Sequence, residues 1–227
     1  MEYIDFNEKI SLNKNYRQQK NIIDFSNRFC ENVNEYIKTL RNNVNRDLYK
    51  KSNSILKNGI TSQIVKVDDL EDQINAILWE IEYLVKNKGL DYGDIAIVFP
   101  YNKKKLKNGK TIYFQYLLRK ALDDVNIPYI IGDDDLTKHA KKTGITLSNL
   151  YFIKNLEYKA VVFCELEMLY NQTINKEDQD YQINDFIGDL NKIYMVINRA
   201  SEYLTITTTF NENSSELIKI LVNSINT

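Results

Sequence analysis

Residues 108–111, Asn-Gly-Lys-Thr, are the stretch of this 227-residue chain whose residue types most directly suggest phosphate chemistry. A phosphate-binding loop ends in Gly-Lys-Thr or Gly-Lys-Ser where a helix begins, and its glycines let the backbone bend around the phosphates. The pattern requires a second glycine five residues before Gly109, and Lys104 occupies that position. It also requires a strand just upstream, whereas residues 103–107 are mostly lysine. We therefore predict a solvated turn here and no phosphate loop.

Few other side chains offer catalytic or metal-binding chemistry. His139 is the only histidine and lies in a polar stretch, so we expect a surface residue and no metal site. Cys30 and Cys164 are far apart, and Cys164 belongs to an apolar run, which predicts two buried, reduced thiols. The sequence begins with no signal segment and contains no apolar run of the roughly 18 residues that a membrane span needs. These features predict a soluble, cytoplasmic protein.

The overall charge does not indicate a nucleic-acid partner. The chain has 30 basic and 31 acidic side chains and a formal charge of -1, so any contact with a polyanion must be local. Hydrophobic residues make up 43% and charged residues 27% of the chain, which excludes extensive intrinsic disorder. A chain of this length can bury a sizeable core.

Helical periodicity recurs along the chain. Apolar residues in steps of three and four predict amphipathic helices over residues 68–86, 114–125 and 186–197, the first capped by an Asp-Asp pair. Two further helices, at about residues 19–45 and 214–223, are expected to close the two ends.

Strands are predicted between these helices. Continuous apolar runs at residues 95–99, 129–131, 145–147 and 160–164 are typical of parallel strands covered on both faces. Alternating segments at residues 64–67 and 203–208 are expected nearer an edge, and the polar residues 102–110 and 171–180 are expected to be surface loops. Alternating helices and strands predict a layered α/β fold with ligands at the carboxyl ends of the strands.

Three separated segments resemble motifs of one protein family. Residues 144–163, with Lys-Asn-Leu-Glu-Tyr at their centre and an apolar run on either side, resemble motif V of the UvrD/Rep-type superfamily 1 helicases, whose centre is Lys-Gly-Leu-Glu-Phe. Residues 12–23 contain Asn-Tyr-Arg before a helix and resemble motif IV. Residues 189–206 contain Ile-Asn-Arg-Ala before a final strand and are similar to motif VI.

The order of these segments matches the family, and the resemblance covers nearly the whole chain. It implies one domain over residues 1–227: the C-terminal, second RecA-like domain of such a helicase. The implied fold is a three-layer α/β domain of the P-loop NTPase type, with a mainly parallel sheet and no Walker A loop of its own.

The resemblance also implies roles at an ATP site. Arg17 and Arg199 match the two family arginines that reach the γ-phosphate, where an arginine supplied from a partner surface stabilises the transferring phosphoryl group. Tyr16 matches the tyrosine that stacks on adenine, and Glu157 the acidic residue that accepts a hydrogen bond from the ribose. Asn155 replaces a glycine whose backbone approaches the γ-phosphate; asparagine tolerates positive φ, so the turn is expected to survive.

The resemblance also implies that the chain binds single-stranded DNA, or RNA. Asn102, Ser148 and Tyr151 occupy the positions at which the family contacts the phosphates and bases of a single strand, a grip largely independent of sequence. The nearby lysines, Lys103 to Lys105 and Lys107, could add electrostatic attraction or form only a solvated loop.

The family's phosphate loop, Mg²⁺ site and motif III belong to a first RecA-like domain that we expect upstream of Met1 or in a separate chain. ATP and Mg²⁺ are accordingly expected only together with that Walker-containing domain. The sequence departs from the family at Pro100, where arginine is common, and at Tyr151, Asn155 and Asn198, in place of histidine, glycine and threonine. Two alternatives therefore stay open: a non-catalytic helicase-like module that binds nucleic acid or a protein, and an unrelated α/β nucleotide-binding domain.

Overall fold

The computed structural model describes residues 14–40, 47–56, 62–105, 109, 111–132, 143–169, 179–212 and 214–225. The helices are α1 Lys20–Leu40, α2 Leu70–Lys86, α3 Phe114–Asp124, α4 Gln179–Ile197 and α5 Glu216–Asn223. The strands are β1 Lys14–Asn15, β2 Asn53–Ser54, β3 Gln63–Lys66, β4 Ile95–Phe99, β5 Lys103–Lys105, β6 Thr111–Tyr113, β7 Tyr129–Ile131, β8 Ile145–Asn149, β9 Tyr158–Phe163 and β10 Ala200–Thr208.

A parallel six-stranded sheet forms the middle layer, in the order β3-β10-β9-β4-β8-β7. Every residue of the central strand β4 is buried, as its continuous apolar run predicts. On one face the sheet packs with α1, α4 and α5, and on the other with α2 and α3. The described residues therefore form the three layers predicted from the alternation of helices and strands.

The helices follow from apolar periodicity and local capping. In α2 the side chains of Ile77, Ile81 and Leu84 are buried, and the Asp69 carboxylate accepts the first-turn N–H of Asp72. The predicted helices over residues 68–86, 114–125 and 186–197 are confirmed, the last as the final part of α4. Both cysteines are free and buried, and burial raises the pKa of the Cys30 thiol to about 12.

The strands predicted at residues 64–67 and 203–208 lie near one edge of the sheet: β3 is the edge strand and β10 is its neighbour. The threonines of β10 are nevertheless buried, and Thr205 donates to Glu80 and Thr208 to Glu167. One local prediction is wrong. The lysine-rich residues 103–105 are not loop but pair antiparallel with residues 111–113.

Gly109 lies between these two short strands with a φ of +81°, so this stretch links strand to strand, unlike a phosphate loop. His139, Lys107 and most of the predicted loop 171–180 lie outside the described residues. Among those described, no helix is both long and apolar enough to cross a membrane, and no group of three or more His, Cys, Asp or Glu side chains could hold a metal ion.

Candidate functional site

Arg17, Glu157 and Arg199 come from three distant parts of the chain and meet in one cluster, which we call the arginine cluster. Arg17 lies between β1 and α1, Glu157 directly precedes β9, and Arg199 directly precedes β10. Because β9 and β10 are parallel neighbours, the residues before them lie at the same edge of the sheet. This is the amino edge of the sheet, whereas the alternation of helices and strands predicts ligands at the carboxyl ends.

The Arg17 side chain joins the other two segments. Its Nη1 donates to Glu157 Oε1, and its Nη2 donates to the main-chain oxygen of Asn198 at 2.8 Å. The turn that presents Arg17 is held by Asn15, whose Oδ1 accepts the backbone N–H groups of Arg17 and Gln18, each at 2.9 Å. The Arg17 guanidinium is therefore oriented both by its own hydrogen bonds and by the turn that carries the residue.

Gln18 fastens the Arg17 segment to the Arg199 segment. Its side chain is fully buried, and Nε2 donates to the main-chain oxygens of Ala200 at 2.8 Å and Ile197 at 3.3 Å. Its Oε1 accepts from Asn15 Nδ2 at 3.0 Å. Sequence reasoning missed Gln18, because its partners are carbonyls about 180 residues away and no local pattern marks them.

Arg199 is half-buried and held by main-chain oxygens. Its Nε donates to Met195 O at 3.2 Å and its Nη1 to Lys154 O at 2.6 Å. Burial lowers the pKa of its guanidinium and the charge of Arg17 lowers it further, while Glu157 opposes the change. Two guanidinium groups beside one carboxylate leave a local positive charge, which favours an anionic ligand.

The other predicted nucleotide contacts lie beside this cluster in sequence. Tyr16 precedes Arg17, and its side chain is 66% exposed, as a stacking surface requires. Asn155 is exposed two residues before Glu157, and its φ is not positive. The turn therefore forms without the left-handed conformation that glycine would favour at this position.

The predicted DNA contacts occupy the opposite, carboxyl edge of the sheet. Asn102 follows β4 and Tyr151 follows β8, and Asn149 bridges them: its Nδ2 donates to Asn102 Oδ1 at 3.2 Å and its Oδ1 accepts the Tyr151 N–H at 2.9 Å. Ser148 is not brought to this surface, because its side chain is buried and its hydroxyl donates to Asn149 O. Asn149 was missed as a site residue, although it lies directly beside a predicted one.

No family model matches the chain. It is 28% identical over 120 residues to one subunit of an ATP-dependent helicase/deoxyribonuclease from Bacillus cereus strain AH187, and 29% identical over 120 residues to the same subunit from strain G9842. These matches involve 52% of this chain and 10% of each relative, so the chain spans about a tenth of the length of the curated relatives it matches.

One solved structure has a similar fold over almost its full length. It is the C-terminal domain of a possible DNA helicase from Lactobacillus plantarum WCFS1, with a TM-score of 0.52, 16% sequence identity, and 91% of this chain and 93% of that chain covered. At this identity the likeness concerns the fold alone. Together with the six-stranded parallel sheet, it confirms the predicted RecA-like three-layer α/β class.

Proposed function

We propose that this chain is the C-terminal RecA-like domain of a superfamily 1 DNA helicase of the UvrD/Rep type, and that it completes an ATP site with a Walker-containing first domain. The observation that supports this most is the convergence of Arg17, Glu157 and Arg199, of which Arg17 and Glu157 are 140 residues apart in sequence. These are residues to which the motif resemblance assigns nucleotide roles.

The chemistry of the arginine cluster suits phosphoryl transfer. An arginine that reaches in from a partner surface stabilises the charge of the transition state and contributes about 10³- to 10⁵-fold in rate. The planar guanidinium fork of Arg17 or Arg199 matches the geometry of phosphate oxygens. In the arrangement described, Arg17 holds an exposed ion pair, worth at most about 1 kcal/mol, so a triphosphate can displace its partner.

The carboxyl edge of the sheet is the proposed surface for single-stranded DNA. Asn102 and Tyr151 are exposed and fixed by Asn149, and Lys103 lies on the adjacent short strand. The names of the relatives include a deoxyribonuclease and a DNA helicase, which favours DNA over RNA as the polymer. The free, buried thiols suit the reducing cytoplasm, where we place the protein.

ATP hydrolysis with single-stranded DNA tests this proposal. The isolated chain is expected to show no turnover, whereas a protein that joins it to its Walker-containing domain, in one chain or by mixing, should hydrolyse ATP in a DNA-stimulated way. Robust hydrolysis by the isolated chain that is abolished by mutating its own residues would overturn the proposal. DNA binding without any effect on the first domain's turnover would instead support the non-catalytic module.

A further inference from the structure

A groove of about 370 Å³ lies between helix α2 and the strands β3 and β10. Because β3 is an edge strand, the groove lies at the rim of the sheet. Its apolar lining includes Val65, Ala76 and Leu204. Neither the arginine cluster nor the proposed nucleic-acid contacts contribute a side chain to it, so any ligand of this groove is separate from the ATP and the DNA already considered.

The indole of Trp79 contributes an aromatic wall to the groove. Its side chain is 75% exposed, more than any other large hydrophobic side chain described. Tyr83, one turn further along α2, is exposed as well, but the Lys88 ammonium already lies 4.9 Å from the centre of its ring. Trp79 is therefore the aromatic face to which a ligand has access, and tryptophan is the side chain that attracts cations most strongly.

The Glu80 carboxylate lies in the same groove. Its Oε1 accepts the Thr205 hydroxyl at 2.8 Å and its Oε2 accepts the Gln63 amide at 2.9 Å, so both of its described donors are neutral. A carboxylate has about four acceptor sites, which leaves room for a further donor on each oxygen. Burial raises the pKa of Glu80, whereas the two hydrogen bonds lower it. A cation bound here would favour the charged form and offset the cost of burial.

We propose that this groove binds an arginine side chain presented by a segment of a partner protein, with the guanidinium in contact with Trp79 and Glu80. A guanidinium is planar, so it stacks on an aromatic face and also presents paired N–H donors to a carboxylate, whereas the ammonium of lysine is a point charge. The apolar lining suits hydrophobic side chains on either side of the arginine.

The charge of α2 favours a basic partner segment. Residues 68–86, which comprise the helix and the two residues before it, contain six acidic side chains and one lysine. Complementary charge of this kind steers association and selects against acidic partners. The groove thus combines a long-range attraction for a basic segment with one position at which a guanidinium is recognised.

The fluorescence of Trp79 tests the proposal directly, because the chain contains no other tryptophan. The probes are acetyl-Leu-Arg-Leu-amide, the same peptide with citrulline in place of arginine, and argininamide, all near neutral pH. We expect the arginine peptide to bind at least about fivefold more tightly than the citrulline peptide, since citrulline keeps the shape of arginine and loses its charge.

Two variants locate the charge that recognises the arginine. Glu80→Gln should reduce the preference for the arginine peptide below about twofold, because the carboxylate is lost. Glu71→Gln is the matched control: it removes an exposed carboxylate of the same helix that does not line the groove, and it should retain the preference.

Equal wild-type affinities for the two peptides, or no response of Trp79 to either, would overturn the proposal without the use of any variant. A preference that survives in folded Glu80→Gln would place the guanidinium elsewhere and would also overturn it. Argininamide that binds as tightly as the arginine peptide would indicate a site for a free amino acid and reject a protein partner. None of these outcomes alters the ATP hydrolysis expected of the two-domain motor, so the inference and the proposed function can fail separately.

Discussion

The two arginines of the cluster are held by different kinds of partner. Arg17 donates to the Glu157 carboxylate and to the main-chain oxygen of Asn198, whereas Arg199 donates only to main-chain oxygens in the hydrogen bonds described, those of Met195 and Lys154. An anion that binds between them would relieve the repulsion that, after burial, lowers the pKa of Arg199. The negatively charged Glu157 carboxylate repels such an anion and competes with it for the guanidinium groups.

Replacing Glu157 with glutamine tests this role. Because the variant removes a negative charge beside two guanidinium groups, we expect tripolyphosphate to bind severalfold more tightly in low salt, as measured by calorimetry. The Arg17–Glu157 pair is exposed, so the free energy of unfolding should fall by less than about 1 kcal/mol. Glu216→Gln removes the carboxylate of another exposed pair, with Lys219, and should leave anion binding unchanged. Identical affinities in all three proteins would contradict this account of the cluster.

At the scale of elements, the buried side chain of Gln18 helps to tie the segment before α1 to the end of α4 and the start of β10. Gln18→Leu leaves the main-chain oxygens of Ala200 and Ile197 without their buried donor, so we expect a loss of about 1–3 kcal/mol in urea unfolding. The control is Gln19→Leu, because Gln19 contacts Ser201 through its backbone N–H, which the substitution keeps. Equal stability of the two variants would show that the side-chain clamp is unimportant.

Two glycine-to-alanine substitutions test local packing. Gly144 lies where β8, the first strand of the motif V-like segment, begins beside β7. A Cβ at Gly144 would lie 2.7 Å from the backbone of Pro128, so Gly144→Ala must push apart the starts of β7 and β8 and should cost about 1–3 kcal/mol.

Gly188 is its counterpart in α4, where a Cβ meets nothing within 4 Å. Gly188→Ala should stabilise the helix by about 0.5–1 kcal/mol. Thermal unfolding of both variants measures the two effects, and a Gly144→Ala protein that melts at or above the wild-type temperature would contradict the close approach at Pro128.

Sequence patterns predicted elements well where a single signal decided the structure. The apolar run of β4 and the capped period of α2 are of this kind. Sequence patterns do not show a side chain's partner when that partner is distant: nothing in the alternating pattern of β10 indicates that Thr205 and Thr208 donate to Glu80 and Glu167.

The same distinction applies to the site. Arg17, Glu157 and Arg199 were found through three motif resemblances, and the fold brings them together. Gln18 and Asn149 were missed because their contacts depend on how segments are placed in space. Ser148 was predicted to contact DNA from its position in the motif, yet its side chain is buried.

For the molecule as a whole, the proposed nucleotide and nucleic-acid contacts lie at opposite edges of one sheet. The arginine cluster lies before β9 and β10, at their amino ends, whereas Asn102 and Tyr151 follow the carboxyl ends of β4 and β8.

The most direct test of the central claim is steady-state ATP hydrolysis, at saturating single-stranded DNA, by the proposed two-domain motor carrying Arg199→Lys. Lysine keeps the positive charge and loses the planar fork that the transferring phosphoryl group requires. We expect kcat to fall by about a hundredfold or more, with little change in KM or melting temperature, and Arg17→Lys to have a similar but smaller effect. Near-normal turnover in a well-folded Arg199→Lys protein would contradict the account and leave the arginine cluster a purely structural feature.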